Sequence, residues 1–260
     1  MAMVRQESNK EEDSLFISAP YGVIIPKIDE KDKNNYDWEE SSFGLKVPKR
    51  KLNKADASSK TKIGIMGGTF DPIHYGHLVT AEAAAERFNL SPVVFVPSGR
   101  PPHKQKQKVT DSRERLRLTE LATLSNCRFR ISDIEVKRTG YSYTIDTVQW
   151  FYHHYGPNLE LYFITGADAI VEIMSWHQVE RLIQYCQFIA VYRPGYERDH
   201  LHKTIAQWSV EFSQRIHLIE VPALAISSTD IRERLQKGRS IKYLVPEPVE
   251  HYIRAQQLYR

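Results

Sequence analysis

The sequence predicts an α/β protein in which a doubly wound parallel sheet follows a polar N-terminal extension. Short apolar strands alternate with helical segments from about residue 61 onward, the pattern of a parallel sheet with helices on both faces. Before residue 61, Lys, Asp, Glu, Asn and Ser dominate. The 260 residues, 41% of them apolar, suffice for one large domain with an appendage.

Residues 1–60 form the predicted extension, which we expect to be largely disordered because polar and charged residues dominate it. Residues 48–62 are basic and contain serines, as linkers do. The short apolar run at residues 15–24 can make transient contacts. Neither a secretory signal nor a run of about 18 apolar residues is found, so no membrane segment is expected. Residues 61–260 form the predicted domain.

The elements of this domain follow from apolar periodicity and turn residues. Strands are predicted at residues 62–66, 93–96, 159–164, 188–191 and 216–221, with one or two short strands within 129–136. Helices are predicted at residues 76–88, 111–124, 144–155, 178–185, 228–236 and 246–254. Asp111, followed by Glu114, has the pattern of a capping box. Ligands bind beyond the carboxyl ends of such strands, so the loops after Met66, Val96, Ile164 and Val221 are the candidate ligand loops.

Charge and cysteine content restrict the classes of function. The net charge of +4 and the pI of about 8.9 suit small anionic ligands, but they are too mild to indicate nucleic acid. Cys127 and Cys186 give neither a disulfide framework nor metal-ligand spacing, which favours the cytoplasm. We expect no nucleic-acid and no membrane partner. The sequence leaves the oligomeric state open and is compatible with a homo-oligomer.

The loop after the first strand predicts a phosphate site. Gly67 and Gly68 lack a Cβ and allow backbone to approach a ligand. The helix that begins near Gly76 directs N–H groups at an anion. His74 and His77 are three residues apart, so they can share one face of the first turn and donate hydrogen bonds to phosphate oxygens. Zinc competes for two histidines, but no third ligand stands nearby, so no metal site is predicted.

The loop before the helix at residues 228–236 predicts a second phosphate contact. The hydroxyls of Ser227, Ser228 and Thr229 and the free amides at that helix start can bind phosphate, and Arg232 adds a fixed charge one turn inside. Ser227 with Asp230 also fits a capping box. An ordinary capped helix is therefore the alternative.

Three further positions carry side chains suited to a nucleotide. Prolines stiffen the basic loop that presents Lys104 to an anion, and a solvated loop is the alternative. Tyr143 and Thr144 begin a helix whose amides can receive a carboxylate. Trp176 can stack on a planar ring, although a single tryptophan is more often part of a core.

The segment GGTFDPIHYGH, residues 67–77, resembles the T/HxGH superfamily of nucleotidyltransferases. The longer pattern is similar to the bacterial nicotinate-nucleotide adenylyltransferases, because later segments match that family in order from about Lys62 to the C-terminus. These segments are PSGRPPHK (97–104), SYTIDT (142–147), TGAD (165–168), Trp176, RPG (193–195) and ISSTDIR (226–232).

The resemblance implies a Rossmann-like nucleotidyltransferase fold and the transfer of AMP from ATP to nicotinate mononucleotide. The products would be deamido-NAD and pyrophosphate, in NAD biosynthesis, and Mg²⁺ would be carried by the ATP phosphates. The implied catalytic residues are His74, His77, Lys104 and Arg232. The implied ATP-binding residues are Gly67, Gly68, Thr69, Phe70, Gly166, Asp168, Ser227, Ser228 and Thr229. The implied mononucleotide-binding residues are Tyr143, Thr144 and Trp176.

Other readings of the same motifs stay open. The acceptor could be nicotinamide mononucleotide or phosphopantetheine, or the enzyme could be a cytidylyltransferase, although ISSTDIR and the Trp176 context favour nicotinate. A fragment of a class I aminoacyl-tRNA synthetase shares a His-x-Gly-His element, but no Lys-Met-Ser-Lys-Ser-like loop is present. A non-catalytic nucleotide or RNA-binding module is the third alternative, and the complete set of phosphate-binding positions argues against it.

Overall fold

The structure, a computed structural model, describes residues 60–260 except 106, 157, 196, 197, 223 and 224, and leaves out the side chains of residues 198 and 200. In residues 1–59 it describes only the backbones of four strands. β1 (Phe16–Ala19) pairs antiparallel with β2 (Val23–Pro26), and β3 (Tyr36–Glu40) pairs antiparallel with β4 (Lys46–Arg50). The rest of the extension, expected to be largely disordered, lies outside the described residues, and that expectation stays a prediction.

A six-stranded parallel sheet forms the centre of the domain. Its strands are β5 (Thr61–Gly68), β6 (Val93–Pro97), β7 (Phe129–Ile131), β8 (Leu159–Gly166), β9 (Cys186–Tyr192) and β10 (Ile216–Glu220). The order across the sheet is β10-β9-β8-β5-β6-β7, and every neighbouring pair is parallel. The chain winds outward from β5 in one direction and from β8 in the other. This confirms the doubly wound sheet and places its switch point between β5 and β8.

Helices cover both faces of the sheet. They are α1 (Tyr75–Phe88), α2 (Ser112–Thr123), α3 (Ile134–Lys137), α4 (Thr144–Tyr155), α5 (Ala167–Val171), α6 (Val179–Tyr185), α7 (Arg198–Ala206), α8 (Val210–Ser213), α9 (Ser228–Gln236) and α10 (Glu247–Ala255). Short 3₁₀ turns occupy Pro102–Lys104 and Ile173–Ser175. No helix in the described part of the chain combines the length and apolar character needed to cross a bilayer.

Helix α1 shows why these residues fold as they do. It buries Ala81, Ala84 and Ala85, whose spacing places three small side chains on one face against the sheet. The helix ends at Asn89, a left-handed residue with φ of 54° whose N–H donates to the carbonyl of Ala85. The same small face allows the helix to approach the sheet closely, which brings the start of α1 to the carboxyl end of β5.

The sequence predicted one or two short strands within residues 129–136, and the structure has one there, β7. Residues 134–137 form the helical turn α3. This turn directs Glu135 inward, where its carboxylate accepts a hydrogen bond from Thr147 Oγ1 at 2.7 Å. The sequence pattern also missed α7 and α8, which are short. Ser209 caps α8 by accepting a hydrogen bond from the N–H of Phe212.

Of the capping box predicted for α2, the structure shows an N-cap hydrogen bond accepted by Asp111, from the second residue of the helix instead of the third. Asp111 Oδ1 accepts a hydrogen bond from the N–H of Arg113 at 2.8 Å. Glu114 instead accepts a hydrogen bond from the hydroxyl of Tyr252 at 3.0 Å, so it connects α2 to α10.

The sheet separates two apolar cores. The first core includes side chains from α1, α2, α9 and α10, and the second core includes side chains from α4, α5, α6 and α8. Ile231 of α9 and Phe70 belong to the first core, and Phe163 of β8 belongs to the second. At the carboxyl edge of the sheet, residues of the first core therefore lie on one face and residues of the second core on the opposite face.

Candidate active site

A cleft of about 320 Å³ opens at the carboxyl ends of β5, β8 and β9. This is the switch point, where a doubly wound sheet binds its ligand. The residues proposed from the sequence that line the cleft are His74, His77, Gly166, Asp168, Ser227 and Ser228. The structure thus brings together the first loop, the start of α5 and the start of α9.

The two histidines form a stacked pair at the start of α1. His74 is the N-cap residue, in an extended conformation with φ of −149°, and His77 is the third residue of the helix. Their ring centroids are 3.7 Å apart and the ring planes differ by 26°. The Nδ1 atom of His77 accepts a hydrogen bond from the backbone N–H of His74 at 3.2 Å. Because Nδ1 accepts, the neutral ring carries its proton on Nε2 and can donate it to a ligand.

Both imidazoles are neutral near pH 7. Burial lowers the pKa of His77 well below its usual value, and the charges of His74 and Lys104 lower it further. Burial lowers the pKa of His74 to about 4, with a smaller contribution from Arg193. The Nδ1 atom of His74 is buried and has no hydrogen-bond partner in the described part of the protein. The pair therefore offers oriented N–H groups to a ligand, not fixed positive charges.

Aromatic rings pack against the glycines of the first loop. A Cβ on Gly67 would lie 2.9 Å from the ring of Phe163, and one on Gly68 would lie 2.9 Å from the ring of Phe70. Phe70 is buried, has a left-handed φ of 50° and meets the ring of His77 edge-on at 5.0 Å. The sequence suggested that the glycines admit a ligand. The structure gives a further physical reason, since their missing Cβ atoms leave room for the rings of Phe163 and Phe70, and the Phe70 ring contacts His77.

Arg115 of α2 is a functional candidate that the sequence analysis missed. It is 1% exposed. Its Nη1 donates to the carbonyl of Thr69 at 2.6 Å, its Nη2 to those of Ser98 and Gly99 at 2.6 and 3.2 Å, and its Nε to that of Thr110 at 2.8 Å. One side chain thereby fixes the loops after β5 and β6. A lone arginine among the inward positions of an amphipathic helix was the signal available in the sequence.

Two serines of the loop before α9 have different tasks. Ser227 Oγ accepts a hydrogen bond from the N–H of Asp230 at 3.1 Å, which confirms the cap that the sequence offered as an alternative. Ser228 lines the cleft, and its hydroxyl donates to the carbonyl of Pro72 at 2.9 Å. The start of α9 is therefore fastened to the first loop.

Positive charge gathers at one end of the first loop. Arg232 Nη1 donates to the carbonyl of Asp71 at 2.7 Å, and Nη2 donates to the hydroxyl of Thr229 at 3.3 Å. Lys104 has a lowered pKa because of burial first and the charge of Arg232 second. Within the described residues the Lys104 ammonium has no hydrogen bond or ion pair. Neither Lys104 nor Arg232 lines the cleft itself.

The residues expected to hold the mononucleotide lie on the second core. Tyr143 is the N-cap of α4, without a side-chain hydrogen bond to the helix, and Thr144 is its first residue. The Tyr143 ring lies 4.3 Å from the ring of His177. Trp176 is partly buried and meets Phe163 edge-on at 5.7 Å. These residues do not line the 320 Å³ cleft, but Phe163 joins them to the first loop.

Some predicted site residues lie outside the cleft lining, and some residues of the lining were not predicted. The other proposed residues that do not line the cleft are Gly67, Gly68, Thr69, Phe70 and Thr229. Arg193 and Thr80 do line it, and Arg193 belongs to a segment that the resemblance matched. In the described part of the chain, no three His, Cys, Asp or Glu side chains are grouped to hold a metal ion.

The fold and the cleft define a nucleotidyltransferase, because histidine donors and a capped helix start face one another at the switch point. A model of the cytidylyltransferase-like family matches residues 65–234. At a finer level, this chain belongs to the family of nicotinate-nucleotide adenylyltransferases.

Similar proteins support that assignment. A protein from Moorella thermoacetica, named probable nicotinate-nucleotide adenylyltransferase, is 59% identical over 199 residues, which cover 76% of this chain and 92% of the relative. A relative of the same name from a Thermoanaerobacter species is 53% identical, covering 76% and 94%. The structure of Plasmodium falciparum nicotinic acid mononucleotide adenylyltransferase complexed with NaAD is 26% identical, with a TM-score of 0.60, and covers 76% of this chain and 97% of that one.

Proposed function

We propose that this enzyme transfers AMP from ATP to nicotinate mononucleotide, giving deamido-NAD and pyrophosphate, in NAD biosynthesis. The observation that carries the proposal is the stacked pair of neutral imidazoles, His74 and His77, in the lining of the switch-point cleft. The names of the relatives at 59% and 53% identity support the choice of acceptor. So does the Plasmodium enzyme, whose structure carries NaAD.

The reaction needs positioning more than it needs proton transfer. The acceptor phosphate is an anion at neutral pH, so no general base is required. Its oxygen forms a bond to the α-phosphorus of ATP while the bond from that phosphorus to the bridging β-phosphate oxygen breaks in line, and pyrophosphate leaves. His77 Nε2–H and His74 would stabilise the charge that develops on the transferring phosphate. Neutral donors do so without moving a proton.

The cationic end of the first loop would hold the leaving pyrophosphate. Lys104 is the cation of that region without a hydrogen bond or ion pair among the described residues, and Arg232 is the fixed one, since its guanidinium is bonded to Asp71 and Thr229. Ser228 lines the neighbouring switch-point cleft from the start of α9, where the first N–H groups of the helix favour an anion. These roles make the β- and γ-phosphates the anchors of ATP, with Gly166 and Asp168 on the opposite wall.

Magnesium would enter with ATP, bound to its phosphates, and would neutralise charge on the leaving pyrophosphate. The described cleft fits this arrangement better than a site built from protein carboxylates. Asp168 is the acidic side chain in the cleft lining, beside the neutral histidines and Arg193, and it can contact a phosphate-bound cation. Mg²⁺ keeps several non-protein ligands in such sites.

The acceptor would bind along the second core. Trp176 would stack on the pyridine ring, and the free amides at the start of α4, near Tyr143 and Thr144, would receive the nicotinate carboxylate. A nicotinamide has no carboxylate, so it would lose this interaction. We place the reaction in the cytoplasm, which suits two cysteines, Cys127 and Cys186, that are not joined in disulfides.

Pyrophosphate release tests the proposal directly. The purified protein is assayed with ATP or CTP and, in parallel, with nicotinate mononucleotide, nicotinamide mononucleotide or phosphopantetheine. We expect release with ATP and nicotinate mononucleotide, and kcat/KM at least tenfold lower with nicotinamide mononucleotide because the carboxylate contact is missing. No release with any pair of substrates would point instead to a nucleotide-binding module. Preference for another acceptor would reassign the substrate.

A further inference from the structure

Tyr259 connects the end of the chain to the first loop. Its hydroxyl donates to Asp71 Oδ1 at 2.9 Å, although 188 residues separate the two. Beyond α10 the backbone takes left-handed φ values of 54° at Gln257 and 66° at Tyr259, and the N–H of Leu258 donates to the carbonyl of Ile253 at 3.0 Å. These turns fold the Tyr259 ring back against the first core. The contact is therefore built into the fold and is not an incidental surface encounter.

Asp71 depends on this hydroxyl. The residue is 3% exposed, so its carboxylate is largely removed from water. Its other oxygen, Oδ2, accepts the N–H of Thr110 at the long distance of 3.4 Å. Within the described residues, Tyr259 therefore supplies the short hydrogen bond to this buried carboxylate. An unpaired buried carboxylate is costly and favours an ion pair with a nearby cation.

Lys104 is the cation that is available for such an ion pair. Arg115 is fixed by carbonyls of Thr69 and Thr110, among others, and Arg232 by the carbonyl of Asp71. The Lys104 ammonium makes no hydrogen bond or ion pair in the part of the chain that the structure describes. The charge of Asp71 nevertheless reaches Lys104, since it raises the pKa of the ammonium against the opposing effects of burial and Arg232.

We propose that Tyr259 is a positioning residue: by holding the carboxylate of Asp71, its hydroxyl keeps the Lys104 ammonium free to bind the phosphates of ATP. The inference rests on the proposed function, in which Lys104 holds the leaving pyrophosphate. Without the hydroxyl, Asp71 draws Lys104 into an ion pair. ATP then has to compete with that ion pair, while the acceptor does not.

The test compares two tyrosines that make similar bonds. Tyr259→Phe removes the hydroxyl from Asp71. Tyr252→Phe is the matched control, because the Tyr252 hydroxyl donates to Glu114 Oε2 at 3.0 Å, away from the first loop. We expect Tyr259→Phe to raise the KM for ATP about tenfold, the effect of losing one charge-assisted contact, and to change the KM for nicotinate mononucleotide less than twofold. We expect Tyr252→Phe to leave both KM values within twofold of the wild type.

Repeating the substitution in an Asp71→Asn protein separates the positioning role of Tyr259 from a general loss of stability. In an Asp71→Asn protein the charge that draws Lys104 is gone, so adding Tyr259→Phe should change the KM for ATP less than twofold. The comparison of Asp71→Asn with the Asp71→Asn, Tyr259→Phe double variant still tests the proposal if Tyr259→Phe alone does not fold. The neutral amide in the Asp71→Asn protein is expected to tolerate the loss of the hydroxyl better than a carboxylate does. The same tenfold change in both backgrounds, or an equal change in the KM of both substrates, would overturn the proposal.

Equilibrium binding of Mg-ATP, measured without the acceptor, tests the role of Tyr259 separately from the proposed reaction. Wild-type protein that binds Mg-ATP but makes no product with nicotinate mononucleotide contradicts the proposed function alone. Tyr259→Phe protein that binds Mg-ATP as tightly as the wild type contradicts the positioning role, even if the wild type makes product. We expect the affinity for Mg-ATP to fall about tenfold in Tyr259→Phe and to stay unchanged in Tyr252→Phe.

Discussion

The ring of His77 accepts the backbone N–H of His74 through Nδ1, at 3.2 Å, and so points its own Nε2–H away from the helix. One imidazole thus caps the helix and retains a donor for a ligand. The two tasks use different nitrogens, and a suitable substitution can separate them.

Removing both functions with His77→Ala should lower kcat by about 100-fold or more, the usual effect of losing one donor to a developing negative charge. His77→Asn is the informative companion, because its side-chain oxygen can still accept the His74 N–H while the Nε2 donor is lost. We expect similar kcat values for both variants and a higher thermal midpoint for His77→Asn. Full activity in a folded His77→Ala protein would refute the catalytic role.

The depressed pKa of His74 predicts that stability falls in mild acid. The folded-state pKa is about 4, against an ordinary value of 6.5, so between these pH values the unfolded chain takes up a proton that the native protein does not. The free energy of unfolding should therefore be unaffected by His74 above pH 6.5 and fall by about 3 kcal/mol on going to pH 4.

Urea denaturation at pH values from 4 to 7 measures this loss. His74→Gln should make the dependence shallower, and the remaining slope should come from His77, whose pKa burial also lowers. His251→Gln, on the exposed side of α10, should leave the dependence as in the wild type. Parallel curves for all three proteins would show that His74 is not the group responsible.

Arg115→Met should destabilise the protein by about 3 kcal/mol, because partly buried carbonyls of three loop segments lose their donor. Arg115→Lys restores charge but cannot reach all of these carbonyls, so we expect intermediate stability. Arg113→Met, exposed on the same helix, is the control and should change the free energy of unfolding by less than about 0.5 kcal/mol. Chemical denaturation gives all three values, and equal stability of the two methionine variants would contradict the role of Arg115.

Two glycines should respond differently to alanine. A Cβ on Gly99 would lie 2.0 Å from the backbone carbonyl oxygen of Glu135, whereas one on Gly166 meets nothing within 4 Å. Gly99→Ala should therefore cost on the order of 3 kcal/mol of stability. Gly166→Ala should keep the wild-type thermal midpoint but raise the KM for ATP, since Gly166 lines the cleft. A Gly99→Ala protein as stable as the wild type would contradict the first prediction, and a Gly166→Ala protein with an unchanged KM for ATP would contradict the second.

Local signals in the sequence were enough to predict much of the fold. Helices α4 and α9 begin and end at the predicted residues, Thr144–Tyr155 and Ser228–Gln236, because apolar spacing and helix-start residues mark both. The parallel sheet followed from the alternation of strands and helices. The cleft residues His74, His77 and Ser228 were found because they stand immediately after strands or at helix starts.

Long-range contacts could not be predicted in this way. The hydrogen bond from Tyr259 to Asp71 joins positions 188 residues apart, and no local pattern marks either residue as a partner of the other. The inward position of Arg115 in α2 was visible in the sequence, but the loop carbonyls to which it donates were not. The packing of Phe163 and Phe70 against Gly67 and Gly68 likewise depends on the assembled sheet, so the sequence suggested a different reason for these glycines.

The division of the domain into two cores has a consequence for redesign. The stacked histidines and the start of α9 pack with the first core, whereas Tyr143 and Trp176 pack against the second. Under the proposed function, a library of substitutions around Tyr143 and Trp176 would vary the acceptor site while leaving the side chains of the first core unchanged. Directed evolution should then change the acceptor preference without rebuilding the part of the protein that is proposed to bind ATP.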